Sequence, residues 1–140
     1  MTTPAWTLAV ALGHAGMDAE HSVELALMDA LHDAVARDLG PNRVREILDQ
    51  LLEHSNVHFM SEQLLMRLTA YPQYEAHALE HDELMARARA LQNRVAGAGT
   101  ATSLEAIVEM RRWLLEHMDH KDRALATYLA EHGRPATPRG

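Results

Sequence analysis

HFMSEQLLMRLTAYPQYEAHALEH, residues 58–81, decides the fold. His58 and Glu62 stand four residues apart at the end of one apolar-striped run, and His77 and His81 stand four apart at the start of the next. Four residues make about one helical turn, so each pair projects from a single helix face. Between the pairs lies Tyr71-Pro72, and the residue before a proline avoids the α region, which ends the first helix. A helix that finishes in metal-binding side chains, a break, and a helix that opens with them make a hairpin whose polar groups meet at its closed end. Either pair alone is weak evidence, because a histidine on an apolar stripe is more often a hydrogen-bonded boundary residue than a ligand.

Outward from this hairpin the same periodicity continues on both sides. The first run, about Met17 to Leu39, places His21, Leu25, Met28, Leu31 and Val35 on one stripe. The second, about Asn42 to Thr69, stripes Val44, Leu48, Leu51, Ser55, His58, Glu62 and Leu65. The third, about Gln73 to Val95, stripes His77, His81, Leu84, Ala88, Leu91 and Val95. The fourth, about Thr102 to Glu131, stripes Ile107, Met110, Trp113, Leu114, His117, Leu125 and Tyr128. Gly40-Pro41 reads as a helix exit followed by a helix start. Ala96 to Thr100 reads as a loose connection, and Thr102-x-x-Glu105 as a capping box for the last helix. Short connections between long amphipathic helices make sequence neighbours antiparallel. The expected fold is all-α: an antiparallel up-down-up-down four-helix bundle with an N-terminal arm, spanning residues 1–133, and a flexible tail over 134–140.

Composition agrees. Seven Val, two Ile and one Phe are set against abundant Leu and Ala and eight Met, so helix formers dominate and strand formers are scarce. The net charge of −7, with no Lys/Arg block at either end, argues against a nucleic-acid groove or an anionic membrane surface as partner. No apolar run approaches the roughly 20 residues of a membrane span. The opening MTTPAWTLAVALGHAG lacks the positive region and cleavage box of a secretory leader, so a cytoplasmic location is expected. With no Cys, any metal must be held by His and carboxylates, which suit iron, manganese, zinc or copper.

Topology turns weak pairs into one strong constellation. His21 lies near the start of the first helix, His58 and Glu62 toward the end of the second, His77 and His81 near the start of the third, and His117 and Asp122 toward the end of the fourth. In an up-down-up-down bundle all four places lie at the same end. The bland alternative buries seven ionisable groups without counter-charge, at several kcal/mol per unpaired ion. A pair of dications removes that cost. Asp122 poses a separate geometric problem: five residues rotate about 140° around an ideal helix, so His117 and Asp122 do not share a face. Either the helix carries a π-type bulge there, or the two side chains approach the metals from different sides. Read without the rest of the set, Asp122 is a surface carboxylate beside Lys121 and Arg123.

The ordered set, a His after Met17-Asp18-Ala19-Glu20, then His58-x-x-x-Glu62, His77-x-x-Glu80-His81 and His117-x-x-x-x-Asp122, resembles the seven-ligand pattern of the hemerythrins, particularly single-domain bacteriohemerythrins. The match runs from Gly13 to Asp122, and Trp6 and Gly13 stand about where that family has a Trp and a Gly. The resemblance implies two Fe ions joined by an oxo or hydroxo bridge. His77, His81 and His117 would bind one, His21 and His58 the other, and Glu62 and Asp122 would bridge them. It implies reversible O2 binding, for storage, delivery or sensing, end-on as hydroperoxide at the two-His iron, which is one ligand short. Small anions such as azide would enter the same position. Phe59, Trp113, Leu114 and Met118 match the family's O2-pocket walls, although ordinary core packing explains each equally well. Met118 departs from the Ile more usual there, which bears on the lifetime of the O2-bound form and not on the fold.

Of the other histidines, His54 reads as a boundary residue, and His14, His32, His120 and His132 as solvent-facing. An O2-binding protein is favoured over an enzyme, with no catalytic residue assigned. The runner-up is a di-iron enzyme reducing peroxide or nitric oxide. The chain lacks the two Glu-x-x-His motifs of oxygenase-type di-iron bundles, which counts against that branch. A third reading, an iron- or O2-responsive signalling module, would need a separate, unidentified protein partner.

Overall fold

The computed structural model describes residues 11–97 and 99–132. Residues 1–10 of the N-terminal arm, Trp6 among them, and the 134–140 tail therefore lie outside the described residues. Helix α1 spans Ala15–Ala36, α2 Pro41–Leu68, α3 Tyr74–Gly97 and α4 Thr100–His117. A π turn, Met118–Asp122, continues α4 directly into α5, Arg123–His132, so these three form one uninterrupted fourth helix. α1 packs on α2, α2 on α3, α3 on α4 and α4 back on α1, which closes the ring of a four-helix bundle. Among the described residues no helix is long and apolar enough to cross a membrane.

The stripes read from the sequence are the buried faces. Leu25, Met28, Leu31, Leu48, Leu51, Leu84, Leu91, Ile107, Met110 and Leu114 fill the main core. A second, smaller cluster of Met17, Met66, Tyr71, Leu125, Ala126 and Leu129 closes the end of the bundle near the α2–α3 connection. Along each helix the candidate ligands fall between these two clusters, so the polar layer has an apolar floor and an apolar lid.

The helix ends differ from expectation in detail. α1 stops before Gly40: the N–H of Leu39 donates to the carbonyl of Ala34 (2.9 Å), and Asp38 takes the left-handed conformation, φ 51°. Asp tolerates that region because its short polar side chain can bond locally. Gly40, φ 99°, is instead the N-cap of α2, with Pro41 in the first turn. α2 closes in the same way, Tyr71 N–H donating to the Met66 carbonyl (2.9 Å) and Ala70 sitting at φ 53°. The last helix begins at Thr100 with Gly99 as its N-cap, so Thr102 lies inside the helix and is not its cap. His14 is not merely solvent-facing: its Nδ1 accepts from the Met17 N–H (3.1 Å) and caps α1.

Candidate metal centre

The bundle brings all seven expected side chains together, and each is buried: His21, His58, Glu62, His77, His81, His117 and Asp122. They divide into two groups of close ligand atoms. One is His77, His81, His117, Glu62 and Asp122; the other is His21, His58, Glu62 and Asp122. The two carboxylates belong to both.

Their oxygens are split between the groups. Oε1 of Glu62 faces Nε2 of His77 (3.2 Å) and of His81 (3.0 Å), whereas Oε2 faces Nε2 of His58 (3.1 Å) and of His21 (3.6 Å). Asp122 repeats the division, with Oδ1 toward Nε2 of His77 (3.0 Å) and His117 (3.1 Å) and Oδ2 toward Nε2 of His21 (2.8 Å). Five imidazole Nε2 atoms thus converge on two carboxylates, and each carboxylate offers one oxygen to either side.

The π turn makes this possible. The N–H of Arg123 reaches back to the carbonyl of Met118, an i→i+5 bond that places one more residue in the turn. That extra residue cancels part of the rotation that would carry Asp122 away from His117, and the two meet at 3.1 Å. Of the two possibilities the sequence allowed, the bulge is the one present.

The outward nitrogens orient the rings. Nδ1 of His58 donates to Oε2 of Glu20 (2.7 Å), Nδ1 of His117 to Oε1 of Glu80 (2.9 Å) and Nδ1 of His81 to Oε1 of Gln63 (3.0 Å). An acceptor at Nδ1 fixes the tautomer and leaves Nε2 with a lone pair for a cation. His54 bonds the Glu20 backbone carbonyl through Nε2 (3.0 Å) and lies parallel to His58 at 6.2 Å, a half-buried tie between α1 and α2. His120 and His132 are exposed and touch no ligand.

The donor set fits metal ions. Nε2 of His21 and of His58, Oε2 of Glu62 and both oxygens of Asp122 are buried without a hydrogen-bond partner, although oppositely charged atoms lie within reach. Such atoms are rare unless something else satisfies them. Protonation shows the same demand. Burial works against a charged His21 ring, yet Asp122 and Glu62 raise it to about 9. His58 rises against burial to about 10, chiefly through Glu62, and His117 to about 10 through Asp122 and Glu80. Only His81 is lowered, by burial and by its positive neighbours His117 and His77. Glu62 and Asp122 are held below the usual carboxylate range, the surrounding histidines outweighing burial. The pocket calls for positive charge between its carboxylates.

The expected walls separate into two kinds. Phe59 lies flat on His81, ring centroids 4.1 Å apart, and edge-on to His117 at 5.9 Å; Leu114 and Met118 are fully buried in the adjoining core. Trp113 departs from expectation. It is half-buried, with the Arg87 guanidinium 3.9 Å above its ring, in a groove also lined by Leu91, Ala106 and Met110. Its side chain has no ring contact with the histidines among the described residues; it leaves the helix toward α3, where Arg87 supplies a cation–π partner. One buried carboxylate lies outside the expected set: Glu24, fully inaccessible and hydrogen-bonded by Ser55 (3.1 Å).

A four-helix bundle carrying two carboxylate-bridged groups of histidines, three on one side and two on the other, belongs to the class of non-haem dinuclear metal proteins. The family model for the hemerythrin HHE cation binding domain matches residues 12–129. The chain is 32% identical over 131 residues to the bacteriohemerythrin of Ralstonia nicotianae, covering 94% of this chain and 92% of that one. It is 27% identical over 124 residues to the bacteriohemerythrin of Methylococcus capsulatus, covering 88% and 94%. A crystal structure of wild-type hemerythrin superposes with a TM-score of 0.72 at 26% identity, over 93% of this chain and 98% of that one. The chain therefore belongs to the hemerythrin family of di-iron, O2-binding proteins.

Proposed function

We propose that this protein binds O2 reversibly, for storage, delivery or sensing, at a di-iron centre held by His21, His58, Glu62, His77, His81, His117 and Asp122. The observation that carries the reading is the division of Glu62 and Asp122, each presenting one oxygen to a three-His group and the other to a two-His group. Two bridging carboxylates and one bridging oxygen would give three donors to each ion, so that the three-His side would complete six and the two-His side would stop at five. On this reading O2 would enter the sixth position on the His21/His58 side, end-on, and be held as hydroperoxide, with one electron from each iron and the proton of the bridging hydroxide; azide would compete for the same position.

What the chain's own residues contribute follows from their placement. Glu20 and Glu80 fix the tautomers of His58 and His117. Phe59, Leu114 and Met118 keep water off the centre from the core side, and the lid around Tyr71 and Leu125 does so from the end. A dry, apolar surround strengthens electrostatics and excludes protons that would trap an oxidised centre. A cytoplasmic location, O2 and small anions as the binding partners, and no nucleic acid or membrane complete the proposal. Metal analysis of protein produced with ample iron tests it: two irons per chain are expected. One zinc per chain, or no tightly held metal, would contradict it.

A further inference from the structure

Glu24 lies on α1 one turn beyond His21, and Ser55 lies on α2 one turn before His58. Because the two helices run antiparallel, both steps lead inward, from the metal layer toward the main core. Ser55 Oγ donates to Oε1 of Glu24 (3.1 Å), and this pair stacks a layer inside the His21 and His58 rings, whose centroids are 4.9 Å apart. The rise between the layers is roughly 4.5 Å, three residues at 1.5 Å each. Glu24 is 0% exposed, and its second oxygen, Oε2, has no hydrogen-bond partner. A buried carboxyl with an unused oxygen is costly to hold in a core. A Leu or Met would fill the same space without that cost, as Leu25 and Met28 do on the same helix.

Position argues for a ligand-facing role. Glu24 sits beside the two-His side, near enough that His58 and His21 act on its charge. The ligand groups that converge within reach of one another do not include it, so it stands behind the metal layer and does not complete it. Resting on the proposed O2-binding function, we propose that Glu24, steadied by Ser55, is a binding residue that donates a hydrogen bond from Oε2 to the small ligand entering on the His21/His58 side. Burial pushes the carboxyl up, toward the protonated form that carries such a donor, and Ser55 occupies the oxygen that needs only to accept.

The probe is azide, added to the iron-loaded, oxidised protein and followed by its charge-transfer absorption. Glu24→Gln keeps a donor of similar shape and is expected to bind azide within about threefold of the unmodified protein. Glu24→Leu removes the donor and is expected to weaken binding by about tenfold, the factor for one such hydrogen bond, with iron content unchanged. The azide stretching band should shift in D2O for the unmodified protein and for Glu24→Gln, but not for Glu24→Leu. Ser55→Ala, which only frees the carboxyl, should weaken azide by about threefold. It decides the matter if Glu24→Leu loses iron. Melting of the metal-free proteins provides the structural readout: Glu24→Leu should melt no lower than the unmodified chain, since it replaces a buried carboxyl by a hydrocarbon. Azide binding to Glu24→Leu as tight as to the unmodified protein, or tighter, overturns the proposal. Should the unmodified protein hold two irons yet take neither azide nor O2, the open position itself is wrong. Should Glu24→Leu alone then accept azide, Glu24 is a metal ligand and not a donor to one.

Discussion

The three-His and two-His sides of the centre share both carboxylates yet are built differently around them. On the three-His side Phe59 lies flat on His81, while Gln63 and Glu80 fix two of the rings. A hydrocarbon ring is packed directly against the imidazole there. On the two-His side His21 has neither ring nitrogen hydrogen-bonded, only His58 is fixed, by Glu20, Phe59 meets His58 only at a tilt, centroids 5.7 Å apart, and the carboxyl of Glu24 lies on the core side. On the proposed reading, the side whose donors would be complete packs against apolar atoms, and the side that would be one donor short has a carboxyl behind it.

Breaking the complete side should have the largest effect. His81→Ala is expected to lose the three-His ion and to destabilise the iron-loaded protein by on the order of 4 kcal/mol, as for other disrupted buried charge networks. His58→Ala should instead leave one ion, held by His77, His81, His117 and the two carboxylates, and abolish the response to azide. Iron counts and melting temperatures check both. An azide response retained by His58→Ala, or lost by His81→Ala while it keeps its remaining ion, would remove the distinction between the sides.

Leu114→Ala probes the core side of the centre. Leu114 is fully buried, so truncation should cost on the order of 2–3 kcal/mol and open the apolar wall without touching a ligand. The expected result is normal iron content with a shorter-lived O2-bound form, read by stopped-flow absorption. An unchanged lifetime would mean that water exclusion is set elsewhere.

Much of this was legible in the chain. Stripes of Leu and Met interrupted by His and Glu mark both the helices and the ligand layer, because imidazoles and carboxylates gathered on buried faces at one end of a bundle are costly unless a cation sits among them. Asp122 was legible only as a choice between two geometries, since sequence does not show where a helix adds a residue to its turn. Glu24 was missed because it sits at the edge of its stripe, between His21 and Leu25, where an acidic residue ordinarily reaches solvent. Only the position of α2 shows that Ser55 covers it. Trp113 shares a helical face with His117, but a long side chain turns toward whatever partner lies nearest, and Arg87 comes from a different helix. The Asp38 helix exit was hidden by the stronger Gly40 signal two residues on.

A smaller effect is expected from pH, and its sign differs between loaded and metal-free protein. His21, His58 and His117 are raised to about 9–10 from an unfolded value of about 6.5. In the metal-free chain their stabilisation is fully present below that unfolded value and is lost as pH rises through 9–10. The lowered carboxylates Glu62 and Asp122 contribute above about pH 4 and lose their contribution as pH falls through their folded values. Metal-free protein should therefore melt progressively lower from pH 7 to pH 10. Loaded protein, whose imidazoles are deprotonated ligands, should hold its metal there and release it in acid. Loading near neutral pH should release at least three protons in weakly buffered solution, one for each strongly raised histidine, with more from the water that supplies the bridging oxygen. A metal-free melting temperature that is flat across that range would contradict the charge assignment. The smallest effect is expected at exposed His132, where Ala should change stability by no more than about 0.5 kcal/mol and leave iron content intact.

On the proposed reading one side of the centre is open to O2 and the other is not. An absorption spectrum of the fully iron-loaded, reduced protein, taken anaerobically and again after O2 is admitted, tests it most directly. A new visible charge-transfer absorption that forms with one O2 per centre and fades when O2 is removed is the predicted result. An unchanged spectrum would show both sides closed, and irreversible oxidation with rapid turnover of O2 or peroxide would make the protein an enzyme.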